Sequence, residues 1–325
     1  MSLTISRYDP SQAADWDRFV REANNGTLFH LRRFLGYHPE KRFNDHSLML
    51  NGSKGLLSVF PAAEVMQGDR RMLVSHPGAS YGSLVTPVGL SFQNSYDLVA
   101  TLIDYARSAG FDGITLTSPP TIYNRRLSNY VDFALLRHGL TPLKREVSSI
   151  LFLETTPEAN LVKFTDASRR AVRKAQGSGI VVRESDDYAT FYRILLNNLE
   201  RRHGVSPAHT LDELLKLVAL FPDEIILLAA FRNDTMIAGI VTFDANSEVT
   251  LAFYISHDEA YQEYRAVNLL FYDLIKRSIA GGFRYLDFGI FTVNEEPNFG
   301  LARFKESFGS SGMFRDTLTI DLTGH

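Results

Sequence analysis

The chain has 325 residues, 45% hydrophobic, 22% charged and 12% aromatic, with a formal net charge of −3. Its length exceeds what one hydrophobic core usually fills, so two domains of about 150 residues are expected, and its composition excludes a disordered or fibrous chain. The charge argues against a uniformly basic DNA-binding protein, and the lack of cysteine excludes disulfides, a thiolate nucleophile and thiolate metal sites.

The first residues, up to Trp16, carry Arg7, Asp9 and Asp15 without an apolar run, so no signal-peptide core is expected there. Apolar stretches such as 225–231 fall far short of the roughly 18 to 20 residues that span a bilayer. The expectation is a soluble cytoplasmic protein with no transmembrane segment.

In the first half, 46–50, 56–60 and 71–75 read as strands, and 96–109 reads as an amphipathic helix stopped by Gly110. His30, His38 and His46 recur every eight residues, which suits neither helical ligand spacing nor strand alternation, and the repeat reads as coincidence. Gly78-Ala79-Ser80-Tyr81-Gly82 matches the nucleophile elbow of an α/β-hydrolase in letters. An elbow needs a helix leading out, whereas 83–87 reads as strand and turn, so a glycine-rich loop is the plainer reading.

The joint between halves is expected near 144–156, giving domains 1–148 and 149–325. After a strand at 149–153, Thr156-Pro157 opens a helix running over 160–176, and a second helix covers 188–203. The first of these places Arg169, Arg170, Arg173 and Lys174 in two i, i+4 pairs, a basic strip that is either a solvated face or a contact for phosphate or carboxylate. His203 and His209 bracket a loop. Strands at 224–231, 236–243 and 249–255 form an antiparallel meander, and a helix containing Leu270, Phe271, Leu274 and Ile275 ends at Gly281-Gly282 before a strand at 283–288.

At an offset of 172, Leu98, Leu102, Ile103, Gly110 and Phe111 align with Leu270, Leu274, Ile275, Gly282 and Phe283. Shared helix-stop-strand grammar produces part of such a match; a duplication of one α/β unit accounts for all of it.

The C-terminal run is the most distinctive. Tyr285-Leu286-Asp287-Phe288-Gly289 is followed by Asn298-Phe299-Gly300-Leu301 and Phe304-Lys305-Glu306-Ser307-Phe308-Gly309. With 26–30, 75–82, 169–175 and 237–239, this run resembles the FemAB-like relatives of GNAT acyltransferases. The resemblance implies an α/β (α+β) fold of two tandem GNAT-like domains, each a mixed, mostly antiparallel sheet flanked by helices, with the acceptor bound between them. It implies a transferase that moves an acyl or aminoacyl group to an amine of a cell-wall peptidoglycan or polysaccharide precursor. No permanently bound cofactor is expected; the acyl donor, acyl-CoA or aminoacyl-tRNA, is a co-substrate, and the acceptor is a small molecule, glycopeptide or saccharide.

By motif the resemblance gives Lys305 as the active-site lysine. Beside it, Tyr254 reads either as a donor or general acid or as a packing ring, and Asp287 either as the group that orients the lysine or the amine or as a loop cap. Arg169, Arg173, Arg265, Phe304, His203, Ser80 and Tyr81 are the candidate substrate or phosphate contacts, and no metal site is expected. The alternative for the lysine is that Phe304 packs in the core while Lys305 points to solvent. Two departures stand out. The family's pyrophosphate loop, Gln/Arg-Xaa-Xaa-Gly-Xaa-Gly/Ala, corresponds to Gln262-Glu263-Tyr264-Arg265-Ala266-Val267, with side chains at both glycine places, and no long coiled-coil arm is present. An acyl-CoA N-acyltransferase on another small amine, a serine hydrolase at Ser80 and a non-catalytic binding module are the alternatives, and the oligomeric state is left open.

Overall fold

The structure, a computed structural model, describes residues 3–203 and 206–324, without the side chains of residues 200–203. In chain order its main elements are β1 (Leu48–Gly52), β2 (Gly55–Phe60), β3 (Ala63–Gln67), β4 (Arg70–Ser75), α1 (Phe92–Ser108), β5 (Gly113–Thr117), α2 (Tyr130–Arg137) and β6 (Thr141–Phe152). There follow α3 (Asp166–Gly177), β7 (Ile180–Ser185), α4 (Tyr188–His203), α5 (Leu211–Leu220), β8 (Ile225–Arg232), β9 (Thr235–Asp244), β10 (Val249–His257), α6 (Ala266–Ala280), β11 (Tyr285–Ile290), α7 (Phe299–Glu306) and β12 (Ser311–Asp321). Among the described residues no helix is long and apolar enough to cross a membrane.

The chain forms two compact units, one of Met1–Glu146 with Phe314–His325 and one of Val147–Met313. The C-terminal residues therefore group with the first unit, whereas division at 148/149 had kept them with the second.

In the first unit, β4 and β5 pair in parallel from Met72 and Gly113 to Ser75 and Leu116, with α1 as the crossover between them. Ser91 caps α1 by accepting the Asn94 N–H, and Leu98, Val99, Leu102, Ile103 and Ala106 bury one face of the helix. It stops at Gly110, whose φ of 75° is left-handed and costs glycine nothing. The flanking strands β3 and β12 pair antiparallel with β4 and β5.

The second unit repeats this plan. Strands β7, β8, β9 and β10 form an antiparallel run, β10 pairs in parallel with β11 across the crossover helix α6, and β6 lies antiparallel beyond β11. Leu269, Leu270, Phe271, Leu274 and Ile275 bury α6, which ends before Gly282 at φ 78°. The expected meander, crossover helix and following strand are all present, and both units have the mixed, mostly antiparallel sheet and flanking helices of the expected fold class.

The helix expected over 160–176 is two helices, Pro157–Lys163 and α3. Phe164 is buried between them against Phe308, ring centroids 5.1 Å apart, and Thr165 starts α3 by accepting the Ser168 N–H. A buried aromatic anchor beside a capping residue breaks the helix where periodicity alone runs on.

Candidate active site

Strands β10 and β11 stay together for only three residue pairs, from Val249 and Tyr285 to Leu251 and Asp287. Beyond them β10 continues to His257 and β11 to Ile290, with no further pairing between the two strands. A cleft of about 580 Å³ lies within this unit. Ile255 and His257 from β10, Arg265 to Asn268 at the start of α6, Asn298, Leu301, Phe304 and Lys305 around α7, and Leu195, Asn198 and Leu199 from α4 line it. Asn198 clamps α4 to the end of β10 by donating to Ser256 Oγ and to the His257 carbonyl, each at 2.7 Å.

Helix α7 delivers the lysine. Asn298 caps it by accepting the Leu301 N–H, and Ala302 and Lys305 point inward one turn apart. Lys305 is only 4% exposed, and its Nζ donates to the Gly289 and Ile290 carbonyls at 2.8 and 2.7 Å. Two carbonyls in fixed positions hold the ammonium and leave one of its three N–H groups for a ligand. Burial lowers the Lys305 pKa to about 8, opposed by the negative charge of Asp287. Asp287 is fully buried, and its Oδ1 accepts from Ser148 Oγ and from the Gly289 N–H, both at 2.7 Å. Gly289, at φ 75°, makes the turn that presents its carbonyl to the lysine.

The alternative placing of this pair is thereby reversed: Lys305 is buried while Phe304 is half-buried, packing its ring on Phe271 and Phe308 at 5.9 and 5.1 Å between centroids. Arg265 stands at the mouth, exposed, with φ 57° and ψ 33°. An arginine has taken a glycine's place in the loop yet keeps the left-handed backbone that glycine would adopt.

Tyr254 is not among the residues that line the cleft. Its hydroxyl accepts the His209 N–H at 3.0 Å and lies 2.8 Å from His209 Nδ1, which fastens the 209 segment to β10. Tyr254→Phe should therefore cost about 1 to 2 kcal/mol in chemical denaturation and leave turnover within a few-fold. Arg169 donates to the Val162 and Phe164 carbonyls and pairs with Asp166, closing the helix junction, while Arg173 is exposed; neither lines the cleft. His203 ends α4, and its side chain lies outside the described residues.

Ser80 and Tyr81 belong to the first unit. Strand β4 leads toward Ser80, but the chain then runs as loop until α1 begins at Phe92, so the strand-turn-helix of a nucleophile elbow is absent from this segment. The Ser80 carbonyl accepts from Arg315 at 2.7 Å, and Tyr81 is a core ring packed on Phe29 and Tyr123. The loop is held by the histidines whose spacing reads as coincidence: His30 Nε2 lies 2.9 Å from the Gly82 carbonyl, and His38 Nε2 lies 2.9 Å from that of Gly78. Burial depresses His30 to about 4, so it serves as a neutral hydrogen-bonding ring. A Cβ on Gly82 would sit 2.3 Å from the Ser75 carbonyl oxygen. Gly82→Ala should therefore destabilise by about 3 kcal/mol or more, measured by chemical denaturation.

Comparison with known proteins agrees with this fold. Residues 163–306 match the family described as acetyltransferase (GNAT) domain. The structure of FemX superposes with a TM-score of 0.75 at 11% identity, covering 98% of this chain and 97% of that one. The C-terminal domain of a putative lysylphosphatidylglycerol synthetase from Agrobacterium fabrum gives 0.60 at 10% identity, covering 95% and 91%. A tandem GNAT protein from the clavulanic acid biosynthesis pathway gives 0.56 at 10%, covering 98% of both chains. No curated protein matches the sequence. Residues 163–306 thus carry a GNAT acetyltransferase domain, which makes the protein a transferase, and the fold of the chain is like that of FemX, two GNAT-like units in tandem.

Proposed function

We propose that the protein transfers an aminoacyl or acyl group from an activated ester or thioester to an amine of a cell-wall peptidoglycan or polysaccharide precursor. The observation that carries this reading is the buried Lys305 ammonium, held by two carbonyls in a cleft where two parallel strands part. The donor carbonyl lies against the lysine, and the acceptor amine attacks it. The oxyanion that forms takes the remaining Lys305 N–H, and collapse breaks the ester or thioester bond. The proton lost by the amine goes to the departing hydroxyl or thiol, so the products are an amide and the free carrier.

Two observations bear on the donor. The first turn of α6 faces the cleft with a left-handed residue before it, which suits a donor phosphate at the helix N-terminus. The side chains of Arg265 and Val267 occupy the places where glycines would admit a pyrophosphate against the backbone, and this favours an aminoacyl ester over acyl-CoA. The lysylphosphatidylglycerol synthetase bears in its name the attachment of an aminoacyl group, and it shares the fold.

The test supplies the purified protein with radiolabelled aminoacyl-tRNA or acetyl-CoA and a soluble muropeptide precursor bearing a free amine. A labelled amide from aminoacyl-tRNA is expected. Consumption of neither donor above its spontaneous hydrolysis would overturn the reading.

A further inference from the structure

The first unit contains a cleft of its own, of about 370 Å³, which the transfer reaction above does not use. It occupies the place that the lysine cleft occupies in the second unit. Both lie at the start of the crossover helix between two parallel strands, α1 between β4 and β5 or α6 between β10 and β11. Both are also lined by the helix that follows, α2 or α7. The offset of 172 seen in the sequence holds in space: α1 ends at Ser108 and α6 at Ala280, left-handed Gly110 matches Gly282, and β5 and β11 begin at Gly113 and Tyr285. Duplication has thus left two clefts, and their linings have diverged.

In place of a buried lysine, the first cleft presents the hydroxyls of Ser83, Thr86, Ser118 and Thr121, the Asp132 carboxyl and the Arg126 guanidinium. Among the described residues the Asp132 carboxyl accepts a hydrogen bond from its own backbone N–H, and the four hydroxyls and the Arg126 guanidinium face the cleft without a bond to another side chain. Ser83 and Thr86 are only 2% and 5% exposed. Their hydroxyl oxygens open onto the cleft, where the hydroxyls of a ligand can bond them in place of water. Ser83 also holds a left-handed φ of 77°, a strained conformation for a residue with a side chain. At the rim the rings of Phe92 and Tyr130 lie 5.5 Å apart between centroids, each nearly half exposed.

This chemistry selects a ligand. Hydroxyls donate and accept, a carboxyl accepts, a guanidinium donates, and an aromatic rim covers an apolar ring face. One acid and one base leave no surplus of positive charge for a polyphosphate. We propose that the first-unit cleft binds an uncharged, polyhydroxylated ring, a saccharide, with Asp132 and Arg126 bonding its hydroxyls and Tyr130 covering its face.

Titration calorimetry on the full chain tests this with D-glucose, D-galactose and N-acetyl-D-glucosamine, and with cyclohexanol as a ring of similar size bearing a single hydroxyl. At least one sugar should bind with a Kd of about 1 to 10 mM while cyclohexanol does not, and Asp132→Ala should weaken that sugar at least about tenfold. Should Asp132→Ala fail to fold, Tyr130→Ala at the exposed rim should weaken the same sugar about threefold or more. Absence of saturation by all three sugars at about 50 mM overturns the proposal. So does equal binding of cyclohexanol, or an unchanged Kd in whichever of these variants folds.

Discussion

Lys305→Ala is expected to lower kcat by about 100- to 1,000-fold, the loss that follows removal of one donor to a tetrahedral oxyanion, with the KM for the donor little changed. The variant should stay folded, because removing a buried ammonium relieves a desolvation cost that offsets the two carbonyls left without a donor. The pH profile gives a second signature. Lys305 acts as a donor only when protonated, and burial brings its pKa down to about 8, so wild-type kcat/KM should fall above about pH 8. That alkaline limb should be missing from the residual activity of the variant.

Stability must move the other way. Between about pH 8 and the ordinary lysine value of 10.5, the unfolded chain still holds a proton that the folded chain has released. Wild type should therefore gain up to about 3 kcal/mol relative to Lys305→Ala as pH rises through that window. Wild-type turnover in the variant would remove Lys305 from the chemistry; a flat stability difference would mean that its folded pKa is ordinary.

The sequence was readable where local pattern and burial coincide. The meander 225–257, the crossover helix α6 and the glycine stops at Gly110 and Gly282 all follow from period and punctuation, and the offset between the halves is visible because helix length and stop position are local. Three features were not readable, each because a distant contact decides it. The break at Phe164 depends on Phe308. The burial of Lys305 depends on carbonyls sixteen and fifteen residues away that become available only where β10 and β11 separate. Tyr254 sits on the expected strand, but its hydroxyl is engaged by His209, forty-five residues earlier. Arg265 shows the limit of reading glycine positions by letter, since its backbone keeps the left-handed shape the missing glycine would have had. The cleft around Asp132 left no motif in the sequence, because its hydroxyls come from two separate connections, 76–91 and 118–129.

Asp287→Ala should be the most damaging single change for stability around the lysine, costing about 2 to 4 kcal/mol in chemical denaturation. The carboxylate is fully buried and takes both the Ser148 hydroxyl and the Gly289 N–H on one oxygen. Removing it leaves both donors without that acceptor and frees the Gly289 turn, whose carbonyl fixes Lys305. Turnover should fall at least about tenfold through loss of alignment, because a reacting geometry displaced by about 1 Å loses most of its advantage. The charge effect is separable from the alignment effect. Asp287 raises the Lys305 pKa against the pull of burial, so its removal should shift the alkaline limb of kcat/KM to lower pH. Asp287→Asn keeps an acceptor for the Gly289 N–H but drops the charge, and should show the same acidward shift with a smaller stability loss. An alkaline limb that stays put in both variants would show that the carboxylate supports the turn alone and exerts no hold on the lysine's proton.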